Sequence, residues 1–261
     1  MTARLAWTRQ QLLVAFYLYC QIPFGELHSR NPEIIKYAAL INRTPSALAM
    51  KLSNIASLDP AIISTGRKGL KGASAADKTM WQEMQQNWGN FAIESSQAIN
   101  SIDEENSPEL KLNTQQVIDK KVDYTGSNKV IQSKARVGQN FFRKAVLSAY
   151  NYRCCITGLS VPSLLIASHI IPWREDAANR LNPSNGLALS MLHDKAFDIG
   201  LITINEDMTV RVSQQKFVTK ESDSFYYSAL QSYAGKAIFL PEKFLPHVDF
   251  LAYHREVVFE Q

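Results

Sequence analysis

The fold is decided by residues 167–198, which read ASHIIPWREDAANRLNPSNGLALSMLHDKAFD. Three polar residues in this stretch, His169, Asn185 and His193, are separated by chain that is largely apolar. The order of apolar runs predicts a short β-hairpin, with His169 at the end of its first strand, followed by a helix. A hairpin and helix of this kind would bring the three side chains around one metal ion.

The composition limits the class of protein. The chain has 261 residues and 46% hydrophobic content, which fits one large domain or two modest ones and excludes a wholly disordered protein. No stretch reaches the ~20 apolar residues of a membrane span. Leu12–Cys20 is apolar, but no small-residue cleavage site follows it, so a buried helix is favoured over a secretion signal. Three cysteines, two of them adjacent, give no disulfide framework, and we expect a cytoplasmic protein with no membrane partner.

The charge is unevenly distributed along the chain, although the net charge is only +4. Residues 1–95 carry ten Lys and Arg against six Asp and Glu, and residues 129–200 carry nine against four. Residues 96–128 reverse the balance, with three basic and six acidic side chains. This pattern is typical of two modules that face a phosphate backbone. An uneven surface without a partner is the alternative.

The first 95 residues predict a helical module. Helix starts are indicated at Thr8 and at Asn31-Pro32. Residues 42–45 (Asn-Arg-Thr-Pro) end the second helix, and a third is predicted to start at Ser46. The second and third predicted helices, joined by a turn that contains Asn42, have the outline of a helix-turn-helix. The candidates for contact with a DNA groove are Arg43, Thr44, Ser46, Lys51, Ser53 and Asn54. The alternative is an ordinary helical hairpin with a solvated polar face.

The periodicity fades between Ile93 and Ser133, where acidic and polar runs predict a linker. We therefore place a helical module at residues 1–95, a linker at 96–133 and a second domain at 134–261. In that second domain a helix begins near Arg136, and a further hairpin is predicted over Leu201–Val212.

Residues 134–204 resemble the HNH nucleases, the ββα-metal family of one-metal DNA-cutting enzymes. The resemblance rests on SHIIPW at 168–173, NPSNGL at 182–187 and LHDKAFD at 192–198, and upstream on RVGQ at 136–139 and CITG at 155–158. These motifs are similar to a branch common among bacterial restriction-type endonucleases. The resemblance implies an α+β fold: a helical N-terminal module, helix-turn-helix-like, and a C-terminal ββα-metal HNH domain.

The resemblance also implies roles for the three polar residues. His169 matches the general base, and an imidazole with an ordinary pKa of ~6.5 is largely neutral at pH 7, as that role requires. An oxygen acceptor on its other ring nitrogen would fix the tautomer. Asn185 would hold the loop or assist at the metal. His193 would bind a divalent metal, Mg²⁺ first, with Mn²⁺, Ni²⁺ or Zn²⁺ as alternatives.

The sequence departs from the family pattern at one position. Many HNH nucleases have Asp or His directly before the catalytic His as a metal ligand, whereas this chain has Ser168, a poor ligand. We therefore predict Asp198 as a further ligand beside His193 and Ser168. Asp194 is expected to point elsewhere on a regular helix. The alternative for Asp198 is a helix-end residue paired with a nearby cation.

These observations predict a metal-dependent DNA endonuclease of restriction or defence type, whose N-terminal module recognises a sequence or a modification in double-stranded DNA. The phosphate-contact candidates are Arg143, Arg153, Arg174, Arg180 and Lys195. Because cutting both strands with a one-metal site usually needs two active sites, a homodimer is a possible partner arrangement. The alternative, suggested by Ser168, is a DNA-binding regulatory protein with an inactive HNH fold. An RNA nuclease is disfavoured, since no aromatic stacking surface is visible.

Overall fold

The structure is a computed structural model that describes residues 6–64, 66, 72–106, 126–214 and 224–260. The chain divides into two compact units, Met1–Phe141 and Phe142–Gln261. Within the ranges just given, no helix combines the length and apolar character that crossing a membrane requires.

The first unit is helical. Its elements are α1 (Arg9–Gln21), α2 (Pro32–Leu40), α3 (Pro45–Ala56), α4 (Pro60–Ser64), α5 (Ala75–Gln86) and α6 (Trp88–Asn106). The predicted starts at Thr8 and Asn31 are confirmed, because both side chains accept a hydrogen bond from the first turn of the helix that follows. The third helix begins at Pro45, one residue before the predicted Ser46, with Thr44 as its N-cap. Helix α1 packs against α3 and α6 and carries much of the buried apolar surface.

The predicted linker differs from the structure at its start. Residues 96–106 continue α6, whose Ala98, Ile99 and Ile102 are buried. A helix that buries an apolar stripe belongs to the core of its unit and not to a linker. Residues 107–125 of the predicted linker lie outside the described residues.

The structure contradicts the prediction that Lys51 faces a DNA groove. Its Nζ lies 2.7 Å from Oδ1 and 2.9 Å from Oδ2 of Asp77, and the two side chains are 7% and 0% exposed. Arg43, in the turn before α3, is partly exposed but engaged within the unit: it donates to the Ala6 carbonyl, and its guanidinium lies over the Trp7 ring. A buried cation needs an acceptor, which Lys51 has in Asp77.

Of the remaining groove candidates on this segment, Thr44 and Ser46 are exposed, and Ser53 and Asn54 are partly exposed. The Thr44 hydroxyl accepts from the Ala47 amide as the N-cap of α3. Ser46 is therefore the exposed candidate at the start of α3 that has no capping role.

The second unit contains the predicted hairpin and helix. Its elements are the end of α7 (Gly126–Ala149), β1 (Leu165–His169), β2 (Gly186–Ser190), α8 (Met191–Asp198), β3 (Ile202–Ile204), β4 (Val210–Val212), α9 (Ser224–Ala229) and α10 (Val248–Tyr253), followed by a π-helical turn at His254–Val258. The hairpin of β3 and β4 confirms the second sequence prediction. The α+β class is confirmed as well.

Strands β1 and β2 are antiparallel, with Leu165 opposite Ser190 and His169 opposite Gly186. A Cβ atom at Gly186 would overlap the side chains of Phe142 and Val146 on α7. The absence of a side chain at this position therefore allows α7 to lie directly on the hairpin. Ser190 ends β2 and caps α8, so the chain passes from hairpin to helix without a loop.

Candidate active site

His169 lies at the end of β1, and a backbone carbonyl holds one nitrogen of its ring. Nε2 is 2.9 Å from the backbone carbonyl oxygen of Arg180. Because a carbonyl only accepts, Nε2 carries the ring proton and Nδ1 carries the lone pair. Burial lowers the pKa of His169, while the Arg180 carbonyl and the Asp194 carboxylate oppose that shift. The ring is therefore neutral at pH 7, with Nδ1 able to accept a proton.

Asn185 precedes β2 and is 1% exposed. Its Oδ1 accepts from the Ile171 amide at 2.8 Å, and its Nδ2 donates to the carbonyl oxygens of Ile171 and Asn179, each at 3.3 Å. The Asn185 carbonyl also accepts from the Ile170 amide. These bonds join the segment after His169 to the segment before β2.

The loop between β1 and β2 is ordered by its own polar groups. The Arg180 Nε donates to the Trp173 carbonyl at 2.7 Å, and the guanidinium lies 5.3 Å from the Trp173 ring centroid. Asp176 accepts from the Ala178 and Asn179 amides and from the Asn179 side chain. The loop is thereby fixed around the carbonyl that binds His169.

Two carboxylates on α8 are associated with this end of the hairpin. Burial raises the pKa of Asp194, and the Ser168 hydroxyl, Lys195 and His169 each oppose that shift. Partial burial, followed by the negative charge of Asp194, raises the pKa of Asp198. Residues four apart share one face of a helix, so Asp194 and Asp198 form an acidic pair, of which Asp194 is the member whose charge acts on His169.

Ser168 precedes His169 and is 2% exposed. Among the described residues its Oγ makes no hydrogen bond of good geometry, yet it lies close enough to Asp194 to favour the charged form of that carboxylate. The hydroxyl is thus a buried polar group directed towards the acidic pair.

His193 lies apart from this group. It is 4% exposed, and its Nδ1 is 2.8 Å from the Ser190 Oγ. Its Nε2 is buried without a well-formed hydrogen bond in the described part of the chain, and the nearby Ala229 carbonyl favours a proton there. Its ring meets the Tyr233 ring edge-on at 5.6 Å. With Nδ1 bound to Ser190 and Nε2 beside a carbonyl, no lone pair is directed to a metal, which argues against the predicted ligand role.

The structure therefore brings His169 and Ser168 close to Asp194, which the sequence reasoning had set aside, and Asp198 interacts with Asp194. The signal that could have identified Asp194 is its spacing of four residues from Asp198, whereas His193 is five residues away. Among the described residues, no group of three or more His, Cys, Asp and Glu side chains is arranged to hold a metal ion.

The basic candidates of this unit fall into two groups. Arg153, Arg174 and Lys195 are exposed. Arg143 donates to the Pro162 carbonyl at 3.4 Å, and Arg180 is engaged with Trp173. The first group presents its charge to solvent, and the second is at least partly occupied within the fold.

The first strand of the hairpin ends in an imidazole, and the second leads directly into a helix that carries two carboxylates. This arrangement is that of a ββα nuclease domain. Comparison with protein families agrees, since residues 154–205 match the family described as "HNH endonuclease". Residues 154–205 of the second unit thus belong to an HNH endonuclease domain. The resemblance predicted from the sequence is confirmed over those residues, and so is the enzyme class of that domain.

Three chains among solved structures are similar to this chain. One is described as "Modification dependent TagI restriction endonuclease", with a TM-score of 0.33 and 18% sequence identity. The match covers 44% of this chain and 36% of that chain, so little more than a third of that enzyme's length is spanned. A comparison with curated proteins finds no significant match.

Proposed function

We propose that this chain is a metal-dependent endonuclease of restriction type that cuts double-stranded DNA, with His169 as its general base. The observation that carries the proposal is the 2.9 Å hydrogen bond from Nε2 of His169 to the Arg180 carbonyl, beside Asp194. This bond holds the Nε2 proton in place, so a proton taken from water enters at Nδ1. The negative charge of Asp194 then favours the imidazolium that results. Asn185 is the proposed holder of the loop that supplies the Arg180 carbonyl.

We assign the metal ligands to Asp194 and Asp198, with the Ser168 hydroxyl beside them, in place of His193. The donor set fits a hard cation, because Mg²⁺ binds through one or two carboxylates and keeps several waters. Burial raises the pKa of both carboxylates, and the negative charge of Asp194 raises that of Asp198 further, so a cation bound between them would favour the charged form of each. With His193 excluded the donors are all oxygens, which suits Mg²⁺ or Mn²⁺ better than Zn²⁺ or Ni²⁺. Bound there, the cation supplies charge neutralisation on the scissile phosphate and the leaving oxygen.

The test is cleavage of supercoiled plasmid with Mg²⁺ or Mn²⁺ by the wild type and by His169→Ala. We expect nicking by the wild type, its loss in EDTA, and a fall of roughly 10²–10⁴-fold in the variant, the usual range for a positioned base. Equal rates for the two proteins would exclude His169 as the base. DNA binding without nicking under either metal would favour the alternative function, a regulatory protein with an inactive HNH fold.

We propose that DNA is held through phosphate contacts made by Arg153, Arg174 and Lys195, whose side chains are exposed. Replacing each by Gln should weaken binding about equally for unrelated DNA sequences and reduce its salt dependence. An unchanged salt dependence would remove the residue from the interface.

We propose the first unit as the module that selects DNA, although Lys51 is buried and Arg43 is engaged with Ala6 and Trp7. Ser46 is the exposed position at the start of α3 that tests this. Ser46→Glu, which adds a negative charge, should weaken binding of duplex DNA, whereas Thr79→Glu on the exposed surface of α5 should not. Equal affinities for both variants would place the DNA contact elsewhere on this unit.

We also propose a homodimer, which would supply two active sites. The mass of the DNA complex in solution tests this proposal.

A further inference from the structure

The His169 ring rests against an aromatic ring from outside the ββα unit. Phe142 on α7 and His169 are almost parallel, with an interplanar angle of 10° and 4.0 Å between ring centroids. Phe142 is 2% exposed, so the contact is dry on the side of the helix. A face-to-face contact at this separation fixes the plane in which the imidazole lies.

Two other contacts complete the constraint on this ring. The hydrogen bond to the Arg180 carbonyl fixes the rotation of the ring within its plane. The Trp173 ring meets the imidazole at 85° with 5.4 Å between centroids and closes a further side. Of the three contacts, the Phe142 stack is the one that covers a face of the ring in parallel, and it therefore resists tilting of the ring out of its plane.

The residue opposite His169 in the sheet leaves room for the contact between Phe142 and His169. Gly186 pairs with His169 in the register of β1 and β2. A Cβ atom at that position would overlap Phe142 and Val146. Glycine at position 186 is thus what allows Phe142 to reach the imidazole.

We propose that Phe142 is a positioning residue for the general base: it holds the His169 ring in the plane that directs Nδ1 at the water to be deprotonated. This inference rests on the proposed function of His169. Phe142 acts through His169 and touches neither DNA nor metal. Because a misplacement of about 1 Å in a catalytic group can cost roughly 10²-fold in rate, removal of the stack should lower kcat and leave DNA binding intact.

The chain offers a matched control one residue away. Phe141 is 1% exposed on the same helix, but its ring contacts Tyr17 and Phe91. Phe142→Leu and Phe141→Leu therefore remove the same ring from the same helix, and only the first removes it from His169. Phe142→Met, whose unbranched and flexible side chain can adapt to the space left by the ring, is the second variant if Phe142→Leu folds poorly.

The experiment measures plasmid nicking and the His169 ring proton resonances in the full chain. Phe142→Leu should lower kcat by about 10–100-fold with KM and DNA affinity unchanged, and Phe141→Leu should retain kcat. In the metal-free protein the His169 ring protons should move downfield in the Phe142 variants alone, because the shielding ring has gone.

A kcat for Phe142→Leu equal to that of Phe141→Leu, or unmoved His169 resonances, would overturn the inference. A wild type that does not nick DNA would contradict the proposed function instead. In that case the resonances alone decide whether Phe142 orients the ring, so the two failures are distinguishable.

Discussion

Nε2 of His169 donates its proton to the backbone carbonyl oxygen of Arg180 across 2.9 Å. A backbone acceptor cannot be removed by a side-chain change, and it fixes the tautomer whatever residue stands at position 180. We predict that ¹⁵N–¹H spectra of the protein at pH 7.5 show His169 protonated at Nε2 and unprotonated at Nδ1. A proton on Nδ1 would leave the proposed base without its acceptor lone pair and would contradict the assignment.

The buried amide of Asn185 leads to a second prediction. In Asn185→Asp, Oδ1 can still accept from the Ile171 amide, but the donor to the carbonyl oxygens of Ile171 and Asn179 is replaced by a negative oxygen. We expect the free energy of unfolding to fall by about 1–3 kcal/mol and kcat to fall with it. Asn100→Asp, at an exposed position of α6, is the control and should alter neither quantity appreciably. Chemical denaturation and nicking rates measure both effects.

Lys51 was predicted to contact DNA, whereas in the structure it forms an ion pair with Asp77. Both side chains are almost inaccessible, so Lys51→Met leaves a buried carboxylate without its cation. We expect a loss of about 3–5 kcal/mol in the stability of the first unit, the usual cost of removing one partner of a buried pair. Lys78→Met, at an exposed position of α5, should be nearly neutral. If Lys51→Met instead weakened DNA binding with no loss of stability, Lys51 would be a groove contact after all.

His254 makes the stability of the nuclease unit depend on pH. Burial lowers the pKa of His254 from 6.5 to about 4, and its ring bonds to Thr203 Oγ1 and the Phe197 carbonyl. The unfolded chain takes up the proton near pH 6.5, whereas the folded chain resists protonation until near pH 4. The stability contribution is therefore present above pH 6.5 and is lost as the pH falls towards 4.

Because of His254, we expect the free energy of unfolding to fall by about 2 kcal/mol between pH 7 and pH 5. Denaturation curves at the two pH values measure it. In His254→Gln, which keeps a donor towards the Phe197 carbonyl, the difference between the two pH values should be smaller by that amount. An equal pH dependence in wild type and variant would show that His254 is not the group that titrates.

The sequence was sufficient where the signal is local. The side-chain caps Thr8 and Asn31 each act within one turn, so two helix starts were predicted correctly, and the third was placed one residue late. The hairpin that carries His169 and the helix after it were also predicted, because apolar runs mark these elements. The predicted linker overlaps helix at both ends, since α6 continues to Asn106 and α7 begins at Gly126. At its start, the burial of Ile99 and Ile102 depends on α1, which lies far away in sequence.

The site was harder to predict where it depends on helix phase and on distant partners. His193 and Asp194 are adjacent, so their side chains diverge by about 100° around the axis of α8. The orientation of the two side chains depends on the contacts of His193, whose ring bonds to Ser190 and lies beside the Ala229 carbonyl and the Tyr233 ring. Lys51 has its partner 26 positions away. Phe142 meets His169 only because Gly186 lets α7 approach the hairpin.

The most direct test of the central claim compares Asp194→Asn with His193→Asn in single-turnover cleavage of supercoiled plasmid with Mg²⁺. Asp194→Asn keeps the shape of the side chain and removes its charge, and His193→Asn keeps an acceptor where Nδ1 lies beside Ser190. At a temperature where thermal unfolding shows both variants folded, we predict a loss of about 100-fold or more for Asp194→Asn and near-wild-type cleavage for His193→Asn. Near-wild-type cleavage by Asp194→Asn together with an inactive His193→Asn would contradict the account.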